Sequence, residues 1–397
     1  MITPAQAEQL IRQHVPMLPV ESLPLAQSAG AILREEIHAE RDHPPFDRVA
    51  MDGIAVDSTA ACGRHDFEIE GTQAAGGAPL QLKSGAGCLE VMTGAMLPGG
   101  CDAVVPFELI SISGDTATLE EPAIEAWQNV HRRGSDARQG SLLLKPGTRL
   151  NAPEVAIAAG AGRARVQVSV QPMVLVISTG DELVEPGEPI LPHQVRRSNA
   201  YGVAAALRRQ GFTRVADDHL RDDAGQMLAR LQQHLTTHDV LILSGGVSMG
   251  RFDLVPRVLT ELGVREVFHK VEQRPGKPLW FGVTEAGKMV FGLPGNPVST
   301  LVCLSRYVVP ALNAAMGESA LESRRIALKT SRTVTNRLTQ FLPVRLETDA
   351  DGRTWAVPRP TNGSGDFTAL AGTDGFVELP PGPGICPAGA VTPLYRW

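Results

Sequence analysis

Acidic side chains lie beside turns at the ends of short apolar runs in the second half of the chain. Glu182 follows the run Met173–Ile177, and Asp253 lies beyond the glycine turn that ends the run Asp239–Leu243. Asp222 precedes an expected helix. Each carboxylate alone has a plain alternative as a solvated loop residue or a helix cap. Together, beside a phosphate-binding turn, they would repel the phosphate unless Mg²⁺ lay between them, which indicates a metal-assisted reaction.

The cationic counterpart of these carboxylates is a turn stiffened by proline and glycine, Arg274-Pro275-Gly276-Lys277-Pro278. Two cations on such a turn can bind an oxyanion with little loss of conformational entropy. An ordinary surface turn is the alternative interpretation. Beside the carboxylates, Arg274 and Lys277 point to phosphoanhydride chemistry assisted by a metal ion.

A glycine-rich turn, Ser244–Gly250, follows the second of these apolar runs. Because Gly245 and Gly246 lack β-carbons, backbone N–H groups there can turn toward a phosphate, with Ser248 beside them. The turn is neither G-x-G-x-x-G nor a Walker A motif, which argues against nicotinamide and P-loop chemistry. Such turns are often only turns, but the position after a buried strand favours a phosphate or pyrophosphate site.

A third apolar run, Met289–Leu293, ends at Pro294-Gly295-Asn296-Pro297. Asn296 suits the N-cap of a helix and Pro297 suits its first position, so a helix should follow. Three buried strands that each end in a glycine turn predict one cleft at the carboxyl edge of a parallel sheet. Such edges bind ligands, and helix N-termini there favour anions.

Strands and helices alternate through residues 173–312, which is typical of a doubly wound α/β domain. The predicted strands are Met173–Ile177, Thr213–Ala216, Asp239–Leu243, Val264–Val271, Leu279–Val283 and Met289–Leu293. The predicted helices are Asn199–Arg209, Ala224–Leu235, Leu254–Leu262 and Val298–Leu312. This alternation places the acidic, cationic and glycine turns in one domain.

The rest of the sequence predicts further parts around this domain, so the expected fold class is multidomain α/β plus β. Pro4–Val15 and Leu23–Ile37 have helical patterns, and short alternating runs from residue 62 to 145 predict a β-rich module. Residues 146–170 should pack back on the N-terminal helices, which makes the β-rich module an insertion. Alternating runs beyond residue 323 predict a C-terminal β-barrel or sandwich. The predicted domains are 1–45 with 141–172 (linking and dimer domain), 46–140 (inserted β-rich domain), 173–322 (α/β domain) and 323–397 (C-terminal β domain).

Composition restricts the function classes. The chain of 397 residues has a formal net charge of -6, so it lacks the basic excess that non-specific nucleic-acid binding requires. Its five cysteines show no C-x-x-C spacing, which fits a reducing compartment and gives no zinc or iron–sulfur signature. The N-terminus lacks a signal-peptide pattern, and no apolar run approaches membrane-spanning length. We therefore expect a cytoplasmic enzyme that binds neither nucleic acid nor a membrane.

Eight segments, taken in order, resemble the molybdopterin molybdenumtransferase family, which includes the E domain of gephyrin. They extend from Pro44 to Ser299, and the set in this order is highly specific although each motif alone is weak. The C-terminal β region fits the family's last domain more loosely. The segments are PPFDRVAMDGIAV, VMTGAMLP, RRGSDARQG, STGDEL, RSNAYGVAAAL, LILSGGVSMGRFD, RPGKPLWFG and GLPGNPVS.

The resemblance implies an elongated four-domain homodimer. Its active cleft would lie between the α/β domain of one subunit and the β-rich module of the other. The implied reaction is Mg²⁺-dependent cleavage of adenylylated molybdopterin, with molybdate delivered to the dithiolene and AMP released. The cofactor is then Mg²⁺, and molybdate is a substrate.

The resemblance also implies which residues carry function. The family's functional positions fall on Asp52, Thr93, Asp136, Glu182, Asp222, Asp253, Lys277, Pro294 and Pro297. The charged members of this set are the predicted catalytic residues, and Thr93 and the two prolines are predicted to bind the substrate. Arg274 departs from the family, which often has lysine there, and its guanidinium fork would hold an oxyanion in a different geometry. Ser364 is a looser match to a serine of the last domain.

Residue chemistry and resemblance together suggest how the roles divide. The pterin phosphate or pyrophosphate would be bound by Gly245, Gly246 and Ser248. Mg²⁺ would be held by Glu182, Asp222 and Asp253. The phosphates would be neutralised, and molybdate received, by Arg274 and Lys277. The residues expected to reach in from the partner subunit are Asp52, Thr93 and Asp136.

Other functions remain open at this point. A molybdopterin adenylyltransferase carries similar turns on a single domain and would produce pyrophosphate from molybdopterin and ATP; it is also a candidate partner that hands over the substrate. A non-catalytic scaffold would use the dimer as a binding platform. A nucleotide or pyridine-nucleotide hydrolase that shares the α/β domain would not need the RRGSD segment. The large additions on both sides of the α/β domain favour the transferase.

Overall fold

The α/β domain is built on a six-stranded sheet. The computed structural model of the protein describes residues 1–120, 123–247, 254–319, 324–335 and 337–397. The strand order is β2-β1-β3-β6-β5-β4; the first four strands are parallel, and β5 and β4 are antiparallel to their neighbours. Numbered along the chain within this domain, the strands are β1 (Val174–Thr179), β2 (Val215–Leu220), β3 (Val240–Ser244), β4 (Arg265–His269), β5 (Trp280–Val283) and β6 (Met289–Leu293).

The three apolar runs singled out in the sequence form adjacent central strands, as predicted. Every residue of β1, β3 and β6 is buried, because helices cover both faces of the sheet. Ser178 pairs with Ser244, and Ser244 pairs with Leu293, so the carboxyl ends of the three strands meet in register. The predicted doubly wound fold is therefore confirmed, with an antiparallel edge that the sequence pattern did not distinguish.

The helices of this domain also follow the prediction, and the caps are corrected in detail. Asn296 is at the N-cap position of the helix that follows β6, and Pro297 is the first residue of that helix, as predicted. The Asn296 side chain does not bond the helix backbone, because its amide donates to Ser364 of the C-terminal domain. Asp223 accepts the N–H of Gln226 and caps α2. The helices are α1 (Ser198–Arg209), α2 (Ala224–Thr237), α3 (Val255–Glu261), α4 (Pro297–Cys303) and α5 (Val309–Ala315), with a π-helical turn, Leu304–Val308, between α4 and α5.

The continuous helical stretch Pro297–Ala315 has 19 residues and is long and apolar enough to cross a membrane by length and composition. The expectation that no apolar run approaches that length was therefore wrong. The stretch is apolar because it packs in the core of the α/β domain, where Leu304, Tyr307 and Leu312 are buried with residues of the central sheet. Its burial explains its composition without a membrane.

The N-terminal region contains one of its two predicted helices. Residues Pro4–His14 form a helix, and Thr3 is its N-cap in a capping box. The prediction of a second helix over Leu23–Ile37 was wrong. The segment begins in a strand, Val20–Pro24, that pairs with Arg165–Ser169. Pairing with this distant strand decides the conformation of the segment, which local periodicity cannot anticipate. Its other elements are the 3₁₀ turn Leu25–Gln27, the paired strands Ile37–His38 and Leu142–Leu144, and the helix Ala152–Gly160.

The β-rich module forms a second six-stranded sheet. Gly53 opens the strand that follows Asp52, and a β-carbon at Gly53 would lie 1.9 Å from the carbonyl oxygen of Val105 on the neighbouring strand. Glycine is therefore required at this position, where the two strands approach closely. Asp52 lies directly before the first residue of this strand. In sheet order the strands are Ala103–Pro106, Gly53–Val56, Gly87–Val91, Asp66–Gln73, Thr116–Leu119 and Ile110–Ser113. A separate two-stranded pair joins Arg48–Val49 to Val130–His131.

The C-terminal region closes into a five-stranded barrel, which resolves the choice between barrel and sandwich. In order the barrel strands are Thr339–Thr348, Thr354–Pro358, Arg325–Leu328, Val391–Arg396 and Gly375–Leu379, which pairs again with the first. A further pair is Arg332–Val334 with Gly384–Cys386. The short strand Gln273–Arg274 of the α/β domain pairs in parallel with Thr339–Gln340 and joins the two domains. The residue boundaries proposed for the domains stay a prediction.

Candidate active site

A cavity of about 530 Å³ lies at the carboxyl edge of the central sheet, where the sequence predicts a cleft. The ends of β1 and β3 contribute Ser178, Thr179, Ser244 and Gly245 to its wall. Gly245 has a φ of 100°, and a β-carbon there would lie 2.8 Å from the carbonyl oxygen of Thr179. Glycine is therefore required where the turn after β3 crosses the end of β1.

Asn199, in the first turn of α1, ties this edge together. Its side-chain amide donates to Ser244 Oγ at 2.9 Å and to the carbonyl oxygen of Gly295 at 2.8 Å. One side chain thus connects the turn after β3 with the turn after β6. Sequence reasoning missed Asn199 as a site residue; the available signal was an amide at the start of a helix that begins at the ligand-binding edge of the sheet.

Two further polar groups in this cavity were missed by the sequence analysis. Ser178 is 1% exposed, and its Oγ has no hydrogen-bond partner within the described part of the chain. Arg197 is 5% exposed and forms ion pairs with Glu185, at 2.6 Å, and with Asp217. A buried hydroxyl without a partner is uncommon in native proteins and marks a position where a ligand atom can complete the bonding.

Two of the three predicted metal ligands lie on the loops that follow β1 and β2. Glu182 lines the cavity, and Gly180 leaves room for it, since a β-carbon at Gly180 would lie 2.3 Å from Glu182 Oε2. The backbone N–H of Asp222 donates to Asp181 Oδ1 at 3.4 Å. The third, Asp253, lies outside the described residues, as does Ser248 of the glycine turn. Among the described residues no group of three metal-binding side chains occurs.

The oxygen donors of Glu182 and Asp222 are of the kind that Mg²⁺ prefers, so the residues present fit that ion in their chemistry. Gly246, predicted beside Gly245 as a phosphate-binding position, has a φ of 64°, and a β-carbon there would lie 2.8 Å from Val255 of α3. This glycine therefore allows the turn to pack closely against α3.

A second cavity, of about 1020 Å³, adjoins the first and contains the predicted cations. Arg274 and Lys277 are exposed in it, and Pro294 also lines it, whereas Pro297 lines the first cavity. Asn296 lines both, and so does Gly365 of the C-terminal domain. Because the two cavities share wall residues, they form one continuous cleft. Glu182 lines its first part, together with Arg196 and Arg197, whereas Arg274 and Lys277 line its second part, together with Asp366.

The C-terminal domain covers this cleft where the two cavities meet. Ser364 Oγ accepts a hydrogen bond of 2.8 Å from the Asn296 amide, and its carbonyl oxygen accepts the N–H of Val298 at 3.1 Å. The loop Thr361–Asp366 lines the second cavity together with the cationic turn. The loosely matched Ser364 is thus placed at the junction of the two cavities.

The predicted residues of the β-rich module form a separate group that lines neither cavity. Asp52 Oδ1 accepts hydrogen bonds from the backbone N–H of Thr93, at 2.6 Å, and from its hydroxyl, at 2.7 Å. These bonds, the backbone one first, lower the pKa of Asp52. Since both residues are exposed, they are available to another molecule at this surface.

Asp136 has its own partner, His131, which sequence reasoning missed. His131 Nε2 lies 2.8 Å from Asp136 Oδ1, and the other ring nitrogen lies 2.9 Å from Arg48 Nη2. An Arg48 donor requires an acceptor at Nδ1, which leaves Nε2 to donate to the carboxylate. The bond from His131 is the main reason why the pKa of Asp136 is lowered. The signal lay in the sequence VHRRGSD, five residues before the aspartate.

Three known protein families match successive parts of the chain. Residues 2–162 match the MoeA N-terminal region (domains I and II), residues 175–314 match a probable molybdopterin binding domain, and residues 325–397 match the MoeA C-terminal region (domain IV). The doubly wound domain with its cleft at the sheet edge thus defines a molybdopterin-binding class of protein.

Relatives along the whole length make the assignment specific. The chain is 41% identical to a molybdopterin molybdenumtransferase of Synechocystis over 402 residues, with 100% of both chains covered. It is 31% identical to one of Staphylococcus epidermidis over 382 residues, covering 94% of this chain and 90% of the relative. A crystal structure of a molybdopterin biosynthesis MoeA protein from Pyrococcus horikosii matches with a TM-score of 0.79 at 32% identity, covering 100% of this chain and 99% of that one. The chain belongs to the molybdopterin molybdenumtransferase family, and it is a transferase of molybdenum cofactor biosynthesis.

Proposed function

We propose that the protein inserts molybdenum from molybdate into adenylylated molybdopterin in a Mg²⁺-dependent reaction that releases AMP. The observation that carries this proposal is the continuous cleft, in which Glu182 and Lys277 line adjoining cavities that share Asn296 and Gly365. A substrate with a phosphoanhydride beside a dithiolene needs a metal-binding end and an oxyanion-binding end in reach of each other. The cleft supplies side chains suited to both.

The first cavity would bind the phosphates. Gly245 brings the backbone of the turn after β3 to the wall of this cavity. The Ser178 hydroxyl, which has no hydrogen-bond partner among the described residues, can donate to a phosphate oxygen. Glu182, Asp222 and Asp253 would hold Mg²⁺. When bound, the ion would neutralise charge on the phosphoryl oxygens and so make the phosphorus more open to attack by water. Asn199 would keep the turns on both sides of the ligand at a fixed separation.

The second cavity would receive molybdate. Lys277 and Arg274 are exposed in the same cavity on a turn with two prolines, so little backbone freedom is lost when an oxyanion binds. The guanidinium of Arg274 presents parallel N–H donors, whereas lysine presents a point charge. We therefore infer a bidentate contact from Arg274 to two oxygens of molybdate, with Lys277 completing charge neutralisation.

The proposal includes a homodimer in which Asp52, Thr93 and Asp136 enter the cleft of the partner subunit. Its support is that these residues are exposed and lie outside both cavities of the cleft in the described part of the chain. It also includes a cytoplasmic location, supported by five cysteines that are all free, a state that a reducing compartment maintains. A molybdopterin adenylyltransferase would supply the adenylylated substrate.

The test is the substitution Asp253→Ala in the full-length protein. Loss of one carboxylate from the metal site should abolish AMP release from adenylylated molybdopterin, while binding of that substrate remains measurable by calorimetry. Asp351→Ala, which changes an exposed aspartate of the C-terminal barrel, is the matched control and should leave AMP release unchanged. Undiminished AMP release in Asp253→Ala would remove this residue from the site, and pyrophosphate production from molybdopterin and ATP would indicate an adenylyltransferase instead.

A further inference from the structure

The cationic turn is supported from behind by a buried glutamine. Gln273 is 0% exposed, and its side-chain Nε2 donates to the carbonyl oxygens of Pro275, at 3.3 Å, and Gly276, at 3.2 Å. The fit is close, since a β-carbon at Gly276 would lie 2.5 Å from that nitrogen and 2.7 Å from Cys303 Sγ. The turn therefore has one face in the cleft, with Arg274 and Lys277 exposed, and one face on a polar support in the protein core.

The orientation of the Gln273 amide is fixed by Tyr307. The Tyr307 hydroxyl donates a hydrogen bond to Gln273 Oε1, and Tyr307 is 2% exposed. Burial raises the pKa of this phenol well above its usual value, so it remains a donor at neutral pH. Because the phenol binds the oxygen end of the amide, the nitrogen end must face the turn. Without that hydroxyl the amide could rotate and place its oxygen against the two carbonyl oxygens.

Tyr307 lies in the π-helical turn between α4 and α5, and its neighbour connects the same turn to two other domains. Arg306 contacts Glu8 of the N-terminal helix at 2.7 Å and Glu378 of the C-terminal barrel at 3.0 Å. Interruptions of this kind in α-helices are frequent at functional sites. In this protein the π-helical turn contains Arg306, which joins three domains, and Tyr307, which bonds the glutamine behind the cationic turn.

We propose that Gln273 and Tyr307 are positioning residues that hold Arg274 and Lys277 in the geometry that binds molybdate. The inference rests on the proposed function, in which this turn receives the oxyanion. Gln273 borders the second cavity but is fully buried, and Tyr307 lines neither cavity, so each would act through the backbone of the turn. Their loss should therefore weaken molybdate binding more than it slows the chemical step.

The experiment compares Tyr307→Phe with Tyr395→Phe in the full-length protein. Both variants remove one hydrogen-bonded phenolic hydroxyl, which is buried in Tyr307 and partly buried in Tyr395, but the Tyr395 hydroxyl donates to Glu378 and not to Gln273. In Tyr307→Phe we expect the KM for molybdate to rise about tenfold, which corresponds to about 1.4 kcal/mol, with kcat for AMP release little changed. Backbone amide exchange at Gly276 and Lys277 should become faster. Tyr395→Phe should show neither effect, and Gln273→Met serves as a second variant with the same expectation as Tyr307→Phe.

Each outcome bears on the inference. Unchanged amide exchange at Gly276 and Lys277 in both Tyr307→Phe and Gln273→Met would overturn it, as would equal effects from Tyr395→Phe. Faster exchange with an unchanged KM for molybdate would also overturn it, because the turn would then be held without consequence for the anion. A Lys277→Ala variant separates the causes in that case: if it too leaves the KM unchanged, the proposed function of the turn has failed, and if it raises the KM, only the positioning role has failed.

Discussion

Two regions of the molecule carry the candidate functional residues, and they are organised in opposite ways. At the edge of the α/β sheet, half-buried Asn199 and buried Gln273 hold turns whose outer faces line a cleft. On the β-rich module, Asp52 and Asp136 are exposed, and each carboxylate is bonded only to nearby residues of that module among those that the structure describes: Asp52 to Thr93, and Asp136 to His131 and Ser135. Neither lines the two cavities of the cleft.

The difference concerns how much of a site one chain can complete. The sheet edge encloses volume and holds its groups through contacts between several elements, so it is preorganised for a ligand. The β-rich surface has oriented carboxylates that lie outside both cavities of the cleft in the part of the chain that the structure describes. It is therefore suited to supply groups to a second molecule, which is the role that the proposed homodimer gives it.

The largest expected effect tests whether the two regions work in different subunits. Glu182→Gln and Asp136→Ala should each reduce AMP release severely when present in every subunit. In a mixed dimer of the two variants, one of the two clefts contains neither substitution, so co-expression should restore activity well above that of either variant. The measurement is AMP release by the purified mixed dimer.

The control for complementation is a mixture of Glu182→Gln with Asp222→Ala, both of which lie in the α/β domain. Every cleft then keeps one substitution, and no recovery is expected. If the first mixture also fails to recover, the β-rich residues act within their own subunit or not at all, and the proposed cleft between subunits is wrong.

A smaller effect on stability should distinguish Asn199, which is half-buried, from the exposed pair Asp52 and Thr93. Asn199→Ala removes both donors that tie the turns after β3 and β6 and leaves their partners without them. We expect the free energy of unfolding to fall by about 1–3 kcal/mol. In Thr93→Ala the exposed hydroxyl bond to Asp52 is lost, and the change should stay below about 1 kcal/mol. Chemical denaturation of both variants measures the contrast; equal losses would mean that the two regions are not organised differently.

The smallest effect concerns acid titration on the β-rich surface. The pKa of Asp136 is lowered mainly by a side-chain bond from His131, whereas that of Asp52 is lowered first by the backbone N–H of Thr93. His131→Ala should therefore raise the pKa of Asp136 toward its ordinary value of 3.8. Thr93→Val, which keeps the backbone donor, should raise the pKa of Asp52 less.

Carboxyl resonances followed by NMR would measure both pKa values. The sign of the linked stability is fixed by the downward shifts: the stabilisation is present above pH 3.8 and is lost as the pH falls through the lower folded-state pKa values. No change in stability from these two groups is expected between pH 5 and pH 8. A shift of the Asp136 pKa in Thr93→Val would contradict the separation of the two pairs.

The sequence was sufficient for features that depend on local pattern. Apolar runs that end in glycine turns predict β1, β3 and β6, and the order of motifs predicts the family. It was insufficient where a distant segment decides the conformation. Leu23–Ile37 has a helical pattern, yet its first residues pair with Arg165–Ser169, more than a hundred residues away.

The candidate site shows the same limit. Charged residues such as Glu182 and Lys277 stand out on turns, because their chemistry is visible one residue at a time. Asn199, Gln273 and Tyr307 matter through contacts with residues from other elements, and nothing in the sequence around them shows which atoms they meet. The metal site is only partly described by the structure, since Asp253 lies outside the described residues.

The short strand Gln273–Arg274 has a mechanical consequence. It is hydrogen-bonded in register to the first strand of the C-terminal barrel, while the residues that follow it carry Lys277. A rigid rotation of the barrel must either break this pairing or carry the two cations with it. If these cations hold molybdate, as proposed, one movement of the barrel would both withdraw them and release the finished cofactor.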